Sequence, residues 1–154
     1  MNTKEPQIDL AEIMARIEEM LNQHYSGYAE KFLEYQKFWN QLAKEELEHA
    51  QWIRQLYSES KKGRLLFNEK RFNKESLEEF LKQLEGMLTS FRVQSRSIKD
   101  ALSNSLSIEK FVLEGKFLEV FHSDSPELKT LLQRLEEATL EHRNRIEQLS
   151  NQCR

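Results

Sequence analysis

Two stretches of this chain end in nearly the same words, and each sets a histidine where helical spacing asks for a hydrophobic residue. The first reads Leu42-Ala43-Lys44-Glu45-Glu46-Leu47-Glu48-His49 and runs on to Ile53, Gln55 and Leu56. The second reads Leu135-Glu136-Glu137-Ala138-Thr139-Leu140-Glu141-His142 and runs on to Ile146, Gln148 and Leu149. At one constant offset Leu, Leu, Glu, His, Ile, Gln and Leu coincide. An internal repeat of this kind asks for a fold with two similar halves. In the first copy Glu46 and His49 stand three apart, on one helical face, where they can grip one metal ion. In the second copy the glutamate position holds Thr139.

The repeat sits in a chain whose apolar spacing is helical throughout. Inward positions run Ala11, Met14, Glu18, Leu21, Tyr25 and Tyr28, then Phe32, Tyr35, Trp39, Leu42, Glu46, His49, Ile53 and Leu56. They resume as Leu102, Ser105, Glu109, Val112, Lys116 and Val120, then Leu128, Leu132, Leu135, Thr139, His142, Ile146 and Leu149. These follow the 3,4 rhythm of bundle helices. Only four Gly and two Pro interrupt 154 residues, and 32% of the chain is charged, which favours helix over tight β-turns. The expectation is all-α: one ferritin-like four-helix bundle over residues 1–154. Hairpin one spans about 8–58, a crossover holding a short helix about 59–95, and hairpin two about 96–152. Ser76 and Glu79 form a capping box that opens the crossover helix. Ser125-Pro126 supplies the cap and first residue of the last helix, after a turn at 122–126. The turn of hairpin one is expected around 28–34. Its signal is weak, and the alternative is one continuous helix with hairpin halves exchanged between two subunits.

Composition removes several classes of function. A net charge of −3 gives no electrostatic case for nucleic acid or an anionic membrane. The cluster Lys61, Lys62, Arg64, Lys70 and Arg71 is interrupted by Leu65-Leu66-Phe67 and reads as a solvated linker. One cysteine, Cys153, rules out disulfide scaffolds and cysteine-rich metal sites within one chain. The charged stretch from Met1 to Met20 lacks the apolar run of a signal peptide, and no run is long enough to span a bilayer. A reduced cytoplasm is the expected compartment.

Five polar residues then stand out on the inward stripe: Glu18, Glu46, His49, Glu109 and His142. Packing alone would give these positions to Leu or Ile. A carboxylate taken out of water is paired or binds metal. Each hairpin offers one inward Glu in its first helix and one inward His in its second, a two-fold pattern. Bundles that hold two iron ions use a Glu from each of two helices and Glu-x-x-His from the other two. Here that set lacks one ligand. A polar core satisfied by internal hydrogen bonds is the competing reading.

The words Ile17-Glu18-Glu19 … Tyr25, Glu45-Glu46-Leu47-Glu48-His49-Ala50 and Ile108-Glu109-Lys110 resemble the rubrerythrin-type branch of the ferritin-like superfamily. The resemblance covers both hairpins. It implies a di-iron centre that reacts with oxygen or peroxide, with Glu18, Glu46, His49, Glu109 and His142 on ligand positions. It also implies that Tyr25 hydrogen-bonds a ligand carboxylate. Two positions depart from the pattern: Thr139 stands where the family has a bridging glutamate, and Lys116 stands at the repeat position of Tyr25. A rubredoxin-like domain cannot be present with one cysteine, so an enzyme of this kind would need an external electron donor.

Three arrangements follow. The chain holds two metals with one carboxylate bridge, or one metal bound mainly by Glu18, Glu46 and His49, or no metal, with Lys116 pairing Glu109. Iron is the expected metal, and the carboxylate and imidazole ligands also suit manganese or zinc. Three functions stay open with them: an oxygen- or peroxide-dependent oxidoreductase or ferrous oxidase, an iron-handling or storage protein, and a metal-free helical interaction module. A homodimer is expected, with helix exchange as its variant. The remaining residues read as structural. His24 and His122 are expected on the surface, as are Glu45, Glu48 and Glu141. Trp39 and Trp52 are expected in core packing, and the stripe Phe80, Leu81, Leu84, Met87, Leu88 and Phe91 covers the side of the bundle.

Overall fold

Five α-helices make up nearly all of the described chain. The computed structural model describes residues 5–61, 66–67, 74–114, 121–122 and 126–153. Helix α1 covers Glu5–Lys31, α2 Gln36–Lys61, α3 Lys74–Gln94, α4 Ile98–Glu114 and α5 Pro126–Gln152. Two strands of two residues each, β1 (Leu66–Phe67) and β2 (Phe121–His122), pair antiparallel with Leu66 opposite His122. No helix among the described residues is long and apolar enough to cross a membrane.

The break between α1 and α2 falls where a turn is expected, although no glycine or proline makes it. Phe32 leaves helical geometry at φ −112°, and a 3₁₀ turn over Leu33–Tyr35 leads into α2. Gly27 lies inside α1, and a Cβ added there would meet nothing within 4 Å, so it is not the hinge. The chain reverses rather than continuing as one helix. Asn22 then donates to the Ala43 carbonyl (2.7 Å) and Gln36 to the Ala29 carbonyl (3.5 Å), which sets α1 and α2 antiparallel.

The second half is built alike. Ser97 caps α4 by accepting the Asp100 N–H at 3.2 Å, and the Asp100 carboxylate accepts the Arg96 N–H at 3.2 Å. Pro126 is the first residue of α5, where its missing N–H costs nothing. Helix α5 packs on α4 and runs antiparallel to α2, with Arg145 beside Glu45 and Arg134 over Trp52. Tyr28, near the end of α1, meets Ser95 just before α4, while Tyr25 meets Glu109 further along it, so these helices also run antiparallel.

The crossover departs from expectation. Its helix, α3, is 21 residues long rather than short, and it begins at Lys74, two residues ahead of the expected capping box. It packs along α1 and α4 as a fifth helix. Leu84 and Leu88 are buried, and Phe80 stacks on Phe111 of α4 at 4.3 Å. Helix α4 is described over Ile98–Glu114, and the later inward positions Lys116 and Val120 lie outside the described residues. Lys116, Ser125, Lys62, Arg64, Leu65, Lys70 and Arg71 lie outside the described residues.

Core and stripe coincide closely. Met14, Leu21, Tyr25, Tyr28, Trp39, Leu42, Ile53, Leu102, Leu135 and Ile146 are all buried, and with them Ser105, Glu46, His49, Glu109 and His142. His24 is a correction: it is 2% exposed rather than on the surface. It lies off the Glu18 face, but α3 packs against α1 and covers a second side of that helix.

Candidate metal centre

Each polar side chain on the stripe reaches the middle of the bundle from a different helix. Glu18 comes from α1, Glu46 and His49 from adjacent turns of α2, Glu109 from α4 and His142 from α5. Glu46 lies at the centre. Its Oε1 is 2.7 Å from His142 Nδ1 and its Oε2 is 3.5 Å from His49 Nδ1. Glu18 Oε2 approaches the same His49 nitrogen at 3.6 Å, and Glu109 Oε1 approaches the same His142 nitrogen at 3.7 Å. The two imidazole rings face each other with centroids 5.0 Å apart. The arrangement is a pseudo-two-fold one: a Glu–His pair on either side of one shared carboxylate.

The electrostatics of the cluster are those of charges held away from water. Burial, and then the neighbouring Glu46 charge, pushes the Glu18 carboxyl well above the usual range. Burial likewise raises Glu109. Burial opposes ionisation of Glu46 as well, but its interactions with Glu18, His142 and His49 outweigh it and hold that carboxyl below the usual range. Burial disfavours both imidazolium ions, yet the carboxylates prevail: Glu18 and Glu46 lift His49 to about 10, and Glu109 and Glu46 lift His142 to about 11. Tyr25 is fully buried and donates its O–H to Glu109 Oε1 at 2.7 Å, and burial raises its own pKa well above 10.0.

The cluster has the donor atoms to hold a divalent cation. One ligand atom each from Glu46, His49 and His142 lie within 4.8 Å of one another, all on buried residues. The fit has a specific sign. Glu46 Oε2 is buried with no hydrogen-bond partner among the described residues, although it belongs to the most acidic carboxyl of the cluster. An unpartnered buried carboxylate oxygen is expensive, and a metal ion would satisfy it.

Two site positions behave differently from the ligand set. Thr139 is half-buried, one turn before His142, and its hydroxyl donates to the Leu135 carbonyl at 2.9 Å. That bond turns it onto its own helix rather than toward Glu46. Glu45 is the residue the sequence reading missed. Expected in solvent, it is half-buried and accepts from His142 Nε2 at 2.9 Å. Arg145 forks onto the same carboxylate, through Nη1 to Oε2 at 3.0 Å and through Nη2 to Oε1, and Gln41 donates to it at 2.8 Å. Burial opposes the charge, but Arg145, Gln41 and His142 together lower the Glu45 pKa. Position 45 faces the α2–α5 seam, one step off the inward stripe. A signal was present in the repeat: the Glu45 position corresponds to Ala138, and Arg145 follows His142 by three residues. Glu48 is half-buried and Glu141 is exposed.

No family model, curated protein or solved structure matches this chain. The functional reading therefore rests on the geometry.

Proposed function

We propose that this chain is a ferritin-like metal-binding protein whose centre takes iron and turns over oxygen or peroxide. The observation that carries the proposal is Glu46, a shared carboxylate set between a Glu18–His49 pair and a Glu109–His142 pair. Glu18 and His49 would hold one ion, Glu109 and His142 a second, with Glu46 between them. Iron bound there would supply one-electron redox chemistry with oxygen or peroxide. The ferritin-like arrangement is supported by the antiparallel α1–α2 and α4–α5 hairpins and by a crossover helix that runs back along the bundle. A carboxylate–imidazole set suits iron, manganese and zinc, and the reading takes iron as the metal.

The residues around the ligands have separable tasks. Glu45, held by Arg145 and Gln41, fixes the His142 ring and its Nε2 proton, so that Nδ1 faces Glu46. Tyr25 orients Glu109 through its hydrogen bond. Trp39 and Leu42, on the turns of α2 before Glu46, and Leu102, on α4 before Glu109, are themselves fully buried.

A second reading has one observation in its favour. Both ring nitrogens of His142 already have carboxylate partners, as in a polar core that needs no metal. Anaerobic titration of the purified protein with ferrous ion, with metal analysis after dialysis, separates the two. One or two retained equivalents, oxidised on admitting air, are expected. Retention no greater than in a Glu46→Ala variant would favour the metal-free bundle and an interaction role.

A further inference from the structure

Two buried polar groups outside the carboxylate cluster share one side of it and have no hydrogen-bond partner among the described residues: the Trp39 indole Nε1 and the Ser105 hydroxyl. Both residues are completely buried. Helices α2 and α4 each run antiparallel to α1, and so run parallel to one another. Trp39 precedes Glu46 by two turns of α2 and Ser105 precedes Glu109 by one turn of α4, so both lie on the same side of the cluster. Two rings from adjacent turns of α1 bracket them. Tyr25 stacks on Trp39 with centroids 5.7 Å apart and reaches α4 at Glu109, four residues after Ser105. Tyr28 meets Trp39 at 4.8 Å, and its hydroxyl joins Ser95 Oγ, which also accepts from Asn104, the neighbour of Ser105, at 2.9 Å.

Ser105 also departs from the habit of the other helical hydroxyls. Ser107, Thr130 and Thr139 each donate to the carbonyl four residues back, at 3.3, 2.9 and 2.9 Å. That local bond is the usual refuge of a hydroxyl inside a helix. Ser105 does not take it, although it is the most buried of the four. Alanine at 105 and phenylalanine at 39 would fill the same layer without a polar atom to satisfy. One buried donor or acceptor left unpaired lowers a folding equilibrium constant by roughly 5- to 100-fold. Two in one layer point to a shared partner.

We propose that Trp39 and Ser105 hold one internal water molecule between α2 and α4. An indole N–H can only donate, whereas a hydroxyl both donates and accepts. The partner therefore accepts from Nε1 and donates to Ser105 Oγ, and water is the smallest molecule that does both. Buried waters take two to four polar partners, and the two here are neutral, which suits water and gives an ion nothing to pair with. The water ties α2 to α4 beside the layer that carries Glu46 and Glu109. The inference stands whether or not the cluster holds metal.

Oxygen-17 relaxation dispersion of the solvent, which counts long-lived internal waters, tests it on the metal-free full chain. The count should fall by one in Ser105→Ala and by one in Trp39→Phe. In the double variant it should again fall by one, because both changes remove the same molecule. Ser107→Ala, which removes only a bond to its own helix, should leave the count unchanged. A count unaffected by Ser105→Ala, or a fall of two in the double variant, would overturn the bridge. Denaturant unfolding gives a second reading. Each single variant should lower the folding equilibrium constant roughly tenfold, and the double variant by clearly less than the product of the two. Multiplicative losses would mean that the two groups do not share a partner. Should Trp39→Phe fail to fold, the parent decides: its Trp39 indole proton, assigned by comparison with Trp52→Phe, should show a nuclear Overhauser contact to water that Ser105→Ala removes. Absence of that contact in the parent, or its survival in Ser105→Ala, would overturn the proposal. None of these outcomes depends on iron retention, so the water can fail while the metal reading stands, and the reverse.

Discussion

The two histidines of the repeat occupy equivalent places on α2 and α5 but live in different company. His142 is held from both sides, with Glu46 on Nδ1 and Glu45 on Nε2. His49 has carboxylates only around Nδ1, and besides the His142 ring it meets the Trp52 ring at 5.4 Å, which carries the Arg134 guanidinium at 4.7 Å. The repeat puts Trp52 where α5 has Arg145, and Ala138 where α2 has Glu45. The α2 side therefore supplies two of the three carboxylates that act on His142, the third being Glu109 of α4, while α5 supplies no carboxylate to His49. What the contrast teaches is that ligand residues can repeat while the groups that orient them do not. His142 is held through both ring nitrogens, and His49 through one.

The largest effect should come from the one residue shared by both halves. Glu46→Ala removes the central carboxylate and should lower metal affinity by more than the roughly 10–100-fold that outer partners are worth. Competition with a chelator measures it. Glu48→Ala, off the cluster, should leave affinity unchanged, and equal losses in the two variants would point to misfolding instead. Next in size is Glu45→Ala, which makes the surroundings of His142 resemble those of His49. It should cost on the order of 10–100-fold in affinity, and for one metal equivalent only. A uniform loss over both equivalents would break the comparison between the halves.

Thr139→Glu adds to the α5 half the carboxylate that α2 already has. Two divalent ions close together repel, and an added bridge offsets part of that repulsion. The variant should retain more of the second equivalent after dialysis and oxidise ferrous ion faster in air. No gain on either count would mean that the back-bond to Leu135 fixes this turn against the cluster. Acidity offers a further test. His49 and His142 sit near 10 and 11 in the folded protein against an ordinary 6.5, so the metal-free fold binds more protons than the unfolded chain above that pH. Their contribution to stability is full below about 6.5 and is lost as pH rises through the folded values. Denaturant midpoints of metal-free protein should therefore fall over that range. Metal affinity should move the other way, since each imidazole sheds its proton before it ligates. The smallest effect belongs to Thr139→Val, within about 0.5 kcal/mol of the parent, because it removes only a hydroxyl bonded to its own helix.

Periodicity made the ligand helices legible, because a buried stripe has to recur every three or four residues whatever occupies it. Glu18, Glu46, His49, Glu109 and His142 were all visible as polar residues in that rhythm. Glu45 and His24 were not, for a common reason. A helix in a bundle has more than one neighbour, and the spacing of its main stripe says nothing of the second. Helix α5 covers the Glu45 side of α2, and α3 covers the His24 side of α1. Such contacts join residues far apart in the chain and leave no local mark. The strand pair was hidden in the same way, since two residues on each side are too few to form a pattern. The turn at Phe32 had a weak signal because Leu33–Tyr35 contains neither glycine nor proline.

The pseudo-two-fold arrangement around Glu46 has a consequence for how such a centre can diverge. Were the hairpins separate, identical chains meeting on a true symmetry axis, any substitution would appear twice. Losing the glutamate at one repeat position would then lose it at both, and no bridge would remain. Covalent linkage of the halves frees each side to vary alone. Threonine at 139 leaves Glu46 in place, because the two repeat positions are separate residues of one chain.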